Sequence, residues 1–276
     1  MVNKVKGRKR NVNTLVKLIF IKMNLIKLLF RLFTSVLLVA CGSKTDTDKI
    51  TIAAAANMQF VIPELIKQFT ANTGIKCELI VGSSGKLTAQ IKEGAPYDIF
   101  IAANIKYPEE VYVSGKAIAK PKVYAYGQLA LWSMVANIHL SIDSLVSKKI
   151  QHIALANPKT APYGEAAVEV LNKYNLDTKI KDKLVFGESI AQTNQFISSE
   201  SVEVGFTALS VVLSPKIKEQ GKWIVIDSSL HTPIEQGVVL LKQENTNTKQ
   251  AKQFYDFLFS AEAKNILKKY GYLVNE

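Results

Sequence analysis

Four short stretches carry the residues best placed to do chemistry, and that chemistry is the holding of an anion by neutral donors. They are Ala55-Ala56-Asn57, Gly82-Ser83-Ser84-Gly85, the run Asn157-Pro158-Lys159-Thr160-Ala161-Pro162-Tyr163-Gly164, and Gly187-Glu188-Ser189-Ile190. Each reads as a turn between a strand and a helix. The first N–H groups of a helix lack intrahelical partners and carry a partial positive charge, which suits an oxyanion. Asn57 and Ser84 bring side-chain donors to the same places. Ser and Asn are also common helix caps, and one such turn alone is more simply a cap. Four of them over two α/β units leave capping and anion binding evenly matched.

Other chemistries find little support. The stretch from Gly82 to Leu87 is not a phosphate loop, because only two residues separate its glycines and Leu87 stands where Ser or Thr would hold magnesium. The chain contains no HExxH and no GxSxG. His139, His152 and His231 are scattered, and Tyr124, Tyr126 and Tyr163 have no carboxylate or His grouped near them for an iron site. No general base stands beside the helix starts, which argues against an enzyme.

The elements that must position these turns follow from apolar periodicity. The run from Ile50 to Ala55 begins like a buried strand. Ile62, Leu65, Ile66 and Phe69 then mark a helix ending near Thr73-Gly74, and Pro63 implies that it starts close to Phe60 or bends there. A second strand over 76–81, a helix over 86–93 and a third strand over 99–102 complete a β-α-β-α-β order, which implies parallel pairing with helices on the faces. Gln128 to Trp132 starts another strand. A strand over 150–156, a helix over 165–174 and a strand over 184–186 repeat the scheme, followed by strands over 204–208, 223–226 and 238–241. One amphipathic helix is expected over 249–270. In a parallel sheet all such turns lie at the carboxyl edge of the strands, where ligands bind.

The net charge of +12 suggests nucleic acid until it is divided along the chain. Nine of the 35 Lys and Arg residues, and no acid, lie in residues 1–41, which leaves 26 basic against 23 acidic residues in the remainder. The body is nearly balanced, and no nucleic-acid partner is expected. Residues 1–41 read as an export leader whose conventional start is Met23. Asn24, Lys27 and Arg31 form its positive region, and Leu32 to Ala40 form an apolar stretch too short to span a bilayer. Leu38-Val39-Ala40-Cys41 resembles a bacterial lipobox, which implies lipidation of Cys41, a tether over 42–49 and a membrane-anchored, extracytoplasmic protein. Two acyl chains or more would make that anchor stable. Cys77 is then left without a disulfide partner.

Read together, these motifs resemble the periplasmic molybdate-binding proteins of ABC importers, which belong to the type II periplasmic binding protein family. The resemblance runs from Ile50 to Val274. It rests on Ala53-Ala54-Ala55-Ala56-Asn57, Gly82-Ser83-Ser84-Gly85 with Ala89-Gln90-Ile91, Gly94-Ala95-Pro96-Tyr97-Asp98-Ile99-Phe100, Asn157-Pro158 with Ala161-Pro162-Tyr163-Gly164, and Lys268-Lys269-Tyr270-Gly271-Tyr272. It implies an α/β two-lobe fold, each lobe a mostly parallel sheet flanked by helices, with the ligand cleft between them. Lobe one would comprise 50–127 and 233–276, and lobe two 128–232. It also implies an oxyanion-binding set of Ala56, Asn57, Ser84, Tyr163 and Ile190. Asn57 and Ser84 would use side chains as well as amides there, and Ala56, Tyr163 and Ile190 backbone N–H groups.

One branch of that family uses a tyrosine hydroxyl in the strand after Gly205. Ala208 occupies the place here, so the sequence is similar to the branch with Asn and without that tyrosine. The resemblance implies molybdate or tungstate as ligand, molybdenum being bound as its oxyanion with no metal directly coordinated. It implies no cofactor, ABC permease subunits as partners and a monomer. Lys86 and Lys159 are expected to attract the anion from outside the inner contacts. Three other readings stay open: a receptor for another tetrahedral oxyanion such as sulfate, an enzyme on the same two-lobe fold, and a purely structural surface lipoprotein.

Overall fold

A computed structural model of the chain describes Met23 and residues 49–243 and 247–275. The leader and the lipobox cysteine Cys41 lie outside the described residues. No helix among those residues is long and apolar enough to cross a membrane.

Two five-stranded sheets organise the body. The first is built from β1 (Lys49–Ala55), β2 (Lys76–Gly82), β3 (Ile99–Ala102), β4 (Lys122–Gly127) and the returning β10 (Ile234–Leu240), in the order β2-β1-β3-β10-β4. The second comprises β5 (Leu129–Ser133), β6 (Ile153–Ala156), β7 (Leu184–Gly187), β8 (Val204–Ala208) and β9 (Lys222–Val225), in the order β7-β6-β8-β5-β9. β1 runs parallel to β2 and β3, and β6 runs parallel to β7 and β8, as the β-α-β order implies. The remaining pairings, of β10 with β3 and β4 and of β5 with β8 and β9, are antiparallel, so both sheets are mixed. The antiparallel partners are the strands that carry the chain between the sheets. Gln128 alone separates β4 from β5, and β10 returns the chain to the first sheet.

Helix α1 (Ile62–Thr73) starts with Pro63 in its first turn, where a missing N–H costs nothing. Its Ile62, Leu65 and Phe69 turn to the core, and it ends on Gly74 at φ +75, whose N–H bonds Thr70 O at 2.8 Å. Helices α2 (Ser84–Lys92) and α3 (Lys106–Val113) complete the crossovers of this sheet. The second sheet is flanked by α4 (Pro162–Lys173), α5 (Ile190–Ser198) and the short α6 (Leu209–Val212). α4 begins at Pro162, earlier than expected, since proline is pre-organised for the first helical position.

The single helix expected over 249–270 is two, α7 (Thr248–Phe257) and α8 (Ala261–Lys269). Ser260 divides them, because its hydroxyl caps α8 by accepting from Ala263 N at 3.2 Å. Phe254 of α7 meets Phe69 edge-on with ring centroids 5.0 Å apart, which locks the C-terminal helices to α1. Past α8 the chain pairs with the connecting strand: Tyr126 N donates to Leu273 O at 2.7 Å and Leu273 N to Tyr126 O at 2.9 Å.

Candidate functional site

The four turns converge. The short 3-10 turn Ala56–Met58 follows β1, α2 follows β2, α4 follows β6 and α5 follows β7, so each turn sits at the carboxyl end of a parallel strand. The two sheets present these ends to one another across a narrow cavity of about 10 Å³. Ala56, Asn57, Ser84, Tyr163 and Ile190, the five residues singled out in the sequence, all line it. Ala103 joins them from the end of β3, and no lining residue is a carboxylate, lysine, arginine or histidine.

The donors are mainly backbone. Ser84 and Ile190 are the first residues of their helices, Tyr163 is the second of α4, and Ala56 and Asn57 open the 3-10 turn. Their N–H groups precede the point where intrahelical bonding begins. Among the described residues none of them donates to a carbonyl outside its own element. Ser83 caps α2 through its hydroxyl, leaving Ser84 for other work. Ser84 Oγ accepts from Ala103 N at 3.0 Å, so its acceptor side is used and its hydrogen is left without a protein acceptor among the described residues. Ser84 is 1% exposed, so that hydrogen can point only into the buried cavity or its walls.

The Asn57 side chain is engaged within the protein. Both hydrogens of its Nδ2 are taken, by Gln236 Oε1 at 2.8 Å and by the Tyr272 hydroxyl at 2.8 Å. Its side chain therefore anchors the turn, and its backbone N–H is what remains for a ligand. The Asn57 carbonyl accepts from Ser210 Oγ at 2.9 Å, which ties the first sheet's turn to α6 beside the second sheet. Gln236, Tyr272 and Ser210 were not singled out as site residues from the sequence. They lie 179, 215 and 153 positions from Asn57, and no local spacing connects them.

The surroundings stay neutral. Burial, opposed by hydrogen bonds from Ser210, Asn57 and Tyr163, pushes Tyr272 up to about 12. Burial also raises Tyr163 and Tyr124 well above the usual phenol range. Lys86 lies outside the cavity and is paired with Glu188 at 2.7 Å across the opening, which cancels most of the attraction expected of it. Gly85 N to Thr160 O at 2.9 Å and the Tyr107 hydroxyl to Lys159 O at 3.2 Å also span the two sides. The arrangement can hold an acceptor-rich anion between two walls of N–H and O–H groups. It has no acid–base pair with which to transform one.

The model of the bacterial extracellular solute-binding protein family matches residues 50–273. The molybdate-binding protein ModA of Azotobacter vinelandii is 37% identical over 238 residues, spanning 85% of this chain and 93% of that protein. The molybdate-binding protein ModA of Rhodobacter capsulatus is 35% identical over 226 residues, spanning 82% and 88%. The solved structure of the Azotobacter vinelandii periplasmic molybdate-binding protein matches with a TM-score of 0.78 at 29% identity, covering 82% of this chain and 100% of that one. With this match over residues 50–273 and the two-lobe architecture, the chain belongs to the bacterial extracellular solute-binding proteins.

Proposed function

We propose that this protein captures molybdate, and tungstate comparably, outside the cytoplasm and delivers it to the permease of an ABC importer. The observation that carries the reading is the cavity lining, in which five residues from both sheets offer amide and hydroxyl donors and no charged side chain takes part. A buried dianion must have its hydration replaced bond for bond. Neutral donors do this and leave no unpaired charge buried when the cleft is open. Donors held at a set radius discriminate by size, so the smaller sulfate leaves some bonds long. The names of the two curated relatives support molybdate over the other tetrahedral oxyanions.

Ala56, Asn57, Tyr163 and Ile190 contribute backbone N–H groups, and Ser84 its amide and hydroxyl. The lobes are 50–127 with 233–276, and 128–232, and they close on the anion about β4–β5 and β10. The protein acts as a monomer held to the membrane by lipid on Cys41. Cys41→Ala is then expected to move it from the membrane to the soluble fraction on cell fractionation, and continued membrane association would remove the anchor from the account.

A thermal-shift panel of molybdate, tungstate, sulfate and phosphate tests the ligand. Molybdate at 100 times its dissociation constant should stabilise the protein by about 2.7 kcal/mol. Equal stabilisation by sulfate at equal concentration would overturn the assignment. Ser84→Ala removes one buried donor, and calorimetric titration should show molybdate bound about 1–3 kcal/mol more weakly. Unchanged affinity would make Ser84 a wall residue only.

A further inference from the structure

Gln236 occupies β10 at 0% exposure, beside the register shift between Gln236 and Gly237. Its carboxamide is fully used. Nε2 donates to the carbonyls of Ala103 and Ile234, each at 3.1 Å. Those two acceptors settle which end of the amide is which, because a carbonyl oxygen cannot face them. Oε1 is left toward Asn57 and accepts from its Nδ2 at 2.8 Å. Ala103 is also the residue whose N–H donates to Ser84 Oγ at 3.0 Å. One buried side chain therefore reaches both anion-binding turns of the first sheet, Asn57 directly and Ser84 through one intervening residue, Ala103.

The β1–β2 ladder holds the two turns side by side as far as Ala55 and Gly82, and beyond that level the backbone does not brace them. The pairing of β1 with β3 ends at Ala54 and Ile101, and that of β3 with β10 ends at Ala102 and Gly237. Asn57 and Ala103 lie just beyond both ladders, where strands are free to splay. The Gln236 side chain supplies the cross-links at the level where the ladders have stopped.

We infer that Gln236 is a positioning residue that fixes the separation of the Asn57 and Ser84 turns and thereby sets the size of oxyanion the cavity accepts. This rests on the reading that those turns hold an oxyanion. Neutral donors bind any tetrahedral dianion if they can adjust, so size selection requires that they cannot.

Gln236→Met keeps the length and apolar bulk of the side chain and removes both ends of the amide. Calorimetric titration of the full chain should show molybdate affinity falling about tenfold, as for the loss of one or two buried hydrogen bonds. Sulfate affinity should fall less, so the molybdate-to-sulfate ratio narrows. Deuterium exchange of the amides over 55–58 in the free protein should speed up about tenfold, while that of β3 stays put. If the Met variant does not fold, Gln236→Glu keeps the shape and the acceptor but loses the donor to Ala103 and Ile234, and the same two changes are expected. An unaltered ratio with unaltered exchange, or equal weakening of both anions with a lowered melting temperature, would overturn the inference and leave Gln236 a packing residue. Failure of the wild-type protein to bind any of the anions would overturn the functional reading alone, and the exchange measurement would still decide the role of Gln236.

Discussion

Replacing Gly164 with alanine is expected to cost about 3 kcal/mol or more of stability and to abolish measurable oxyanion binding. A Cβ at this position would lie 2.0 Å from Ala156 O, 2.7 Å from Ala156 C and 3.1 Å from Pro158 N. All three are backbone atoms at the end of β6, so no side chain can turn aside to make room. The first turn of α4 must retreat, and it carries the Tyr163 amide immediately before Gly164. The helix is anchored further along by Ala166, Ala167, Val170 and Leu171, all buried, so the displacement concentrates at the site end. For a domain of this size the melting temperature should fall by about 6–12 °C. Thermal melts and molybdate titration of the same sample check both parts. A variant that melts and binds like the wild type would mean that α4 has slack and does not set the Tyr163 amide.

Gly127→Ala is expected to weaken binding about as severely, for a different reason. Gly127 ends β4 at the passage from the first sheet to the second, and a Cβ there would lie 2.1 Å from the Tyr163 hydroxyl and 2.8 Å from Gln236 Nε2. Tyr163 joins the two sides: it lines the cavity while its ring, 2% exposed, reaches back to the connecting strand. The ring cannot swing away without disturbing the amide or opening the core. A stability loss of about 1–3 kcal/mol is expected. Tyr163→Phe keeps the amide and removes the nearest atom, so the double variant should recover part of the loss, with a coupling of about 0.5–3 kcal/mol. Strict additivity of the two substitutions in a thermodynamic cycle would show that the hydroxyl is not the obstacle.

These two glycines indicate which parts of the molecule were legible in the sequence. Ile50, Ile52, Ile99, Phe100 and Ile101 form compact apolar runs bounded by turn residues because their strands are buried on both faces, and such runs read as strands without other help. α3 is harder to see. Only Pro108 and Val111 of its eight residues are buried, too few to make a periodic stripe. β4 is also weakly patterned, with Tyr124, Ala125 and Gly127 buried and its neighbours partly exposed, so the sequence divides the lobes after residue 127 without showing the strand that leads there. The antiparallel returns were hidden because pairing direction for a distant strand such as β10 has no local signature.

The candidate site divides in the same way. Turns of Ala, Asn, Ser and Gly after apolar strands are local features, and the backbone donors they present could be located one turn at a time. The side-chain roles could not. Asn57 reads as a donor in isolation, and its amide is claimed by Gln236 and Tyr272, which only the fold brings near. Lys86 reads as an attracting charge, and Glu188 from the opposite wall neutralises it. What a turn offers is written locally, whereas what its side chains are free to do depends on residues that arrive from far along the chain.

The same division explains why an uncharged site can be selective. A lysine-lined pocket would attract any dianion and tolerate small errors of placement, because Coulomb attraction falls off slowly with distance. Hydrogen bonds weaken steeply with distance and angle, so on the proposed reading donors on helix starts, cross-braced from β10, would reject an anion of the wrong radius. The interlobe bonds from Gly85, Lys86 and Tyr107 contribute little to stability where they are exposed, and they complete the enclosure that keeps water from competing.

The central claim is that neutral donors from both sheets hold a molybdate-sized oxyanion. A crystal structure of the protein with molybdate tests it most directly. The account predicts the anion between the sheets, with its oxygens within hydrogen-bond distance of the amides of Ala56, Asn57, Ser84, Tyr163 and Ile190 and of the Ser84 hydroxyl. A lysine or arginine side chain touching the anion, or molybdate bound anywhere other than this cavity, would contradict it.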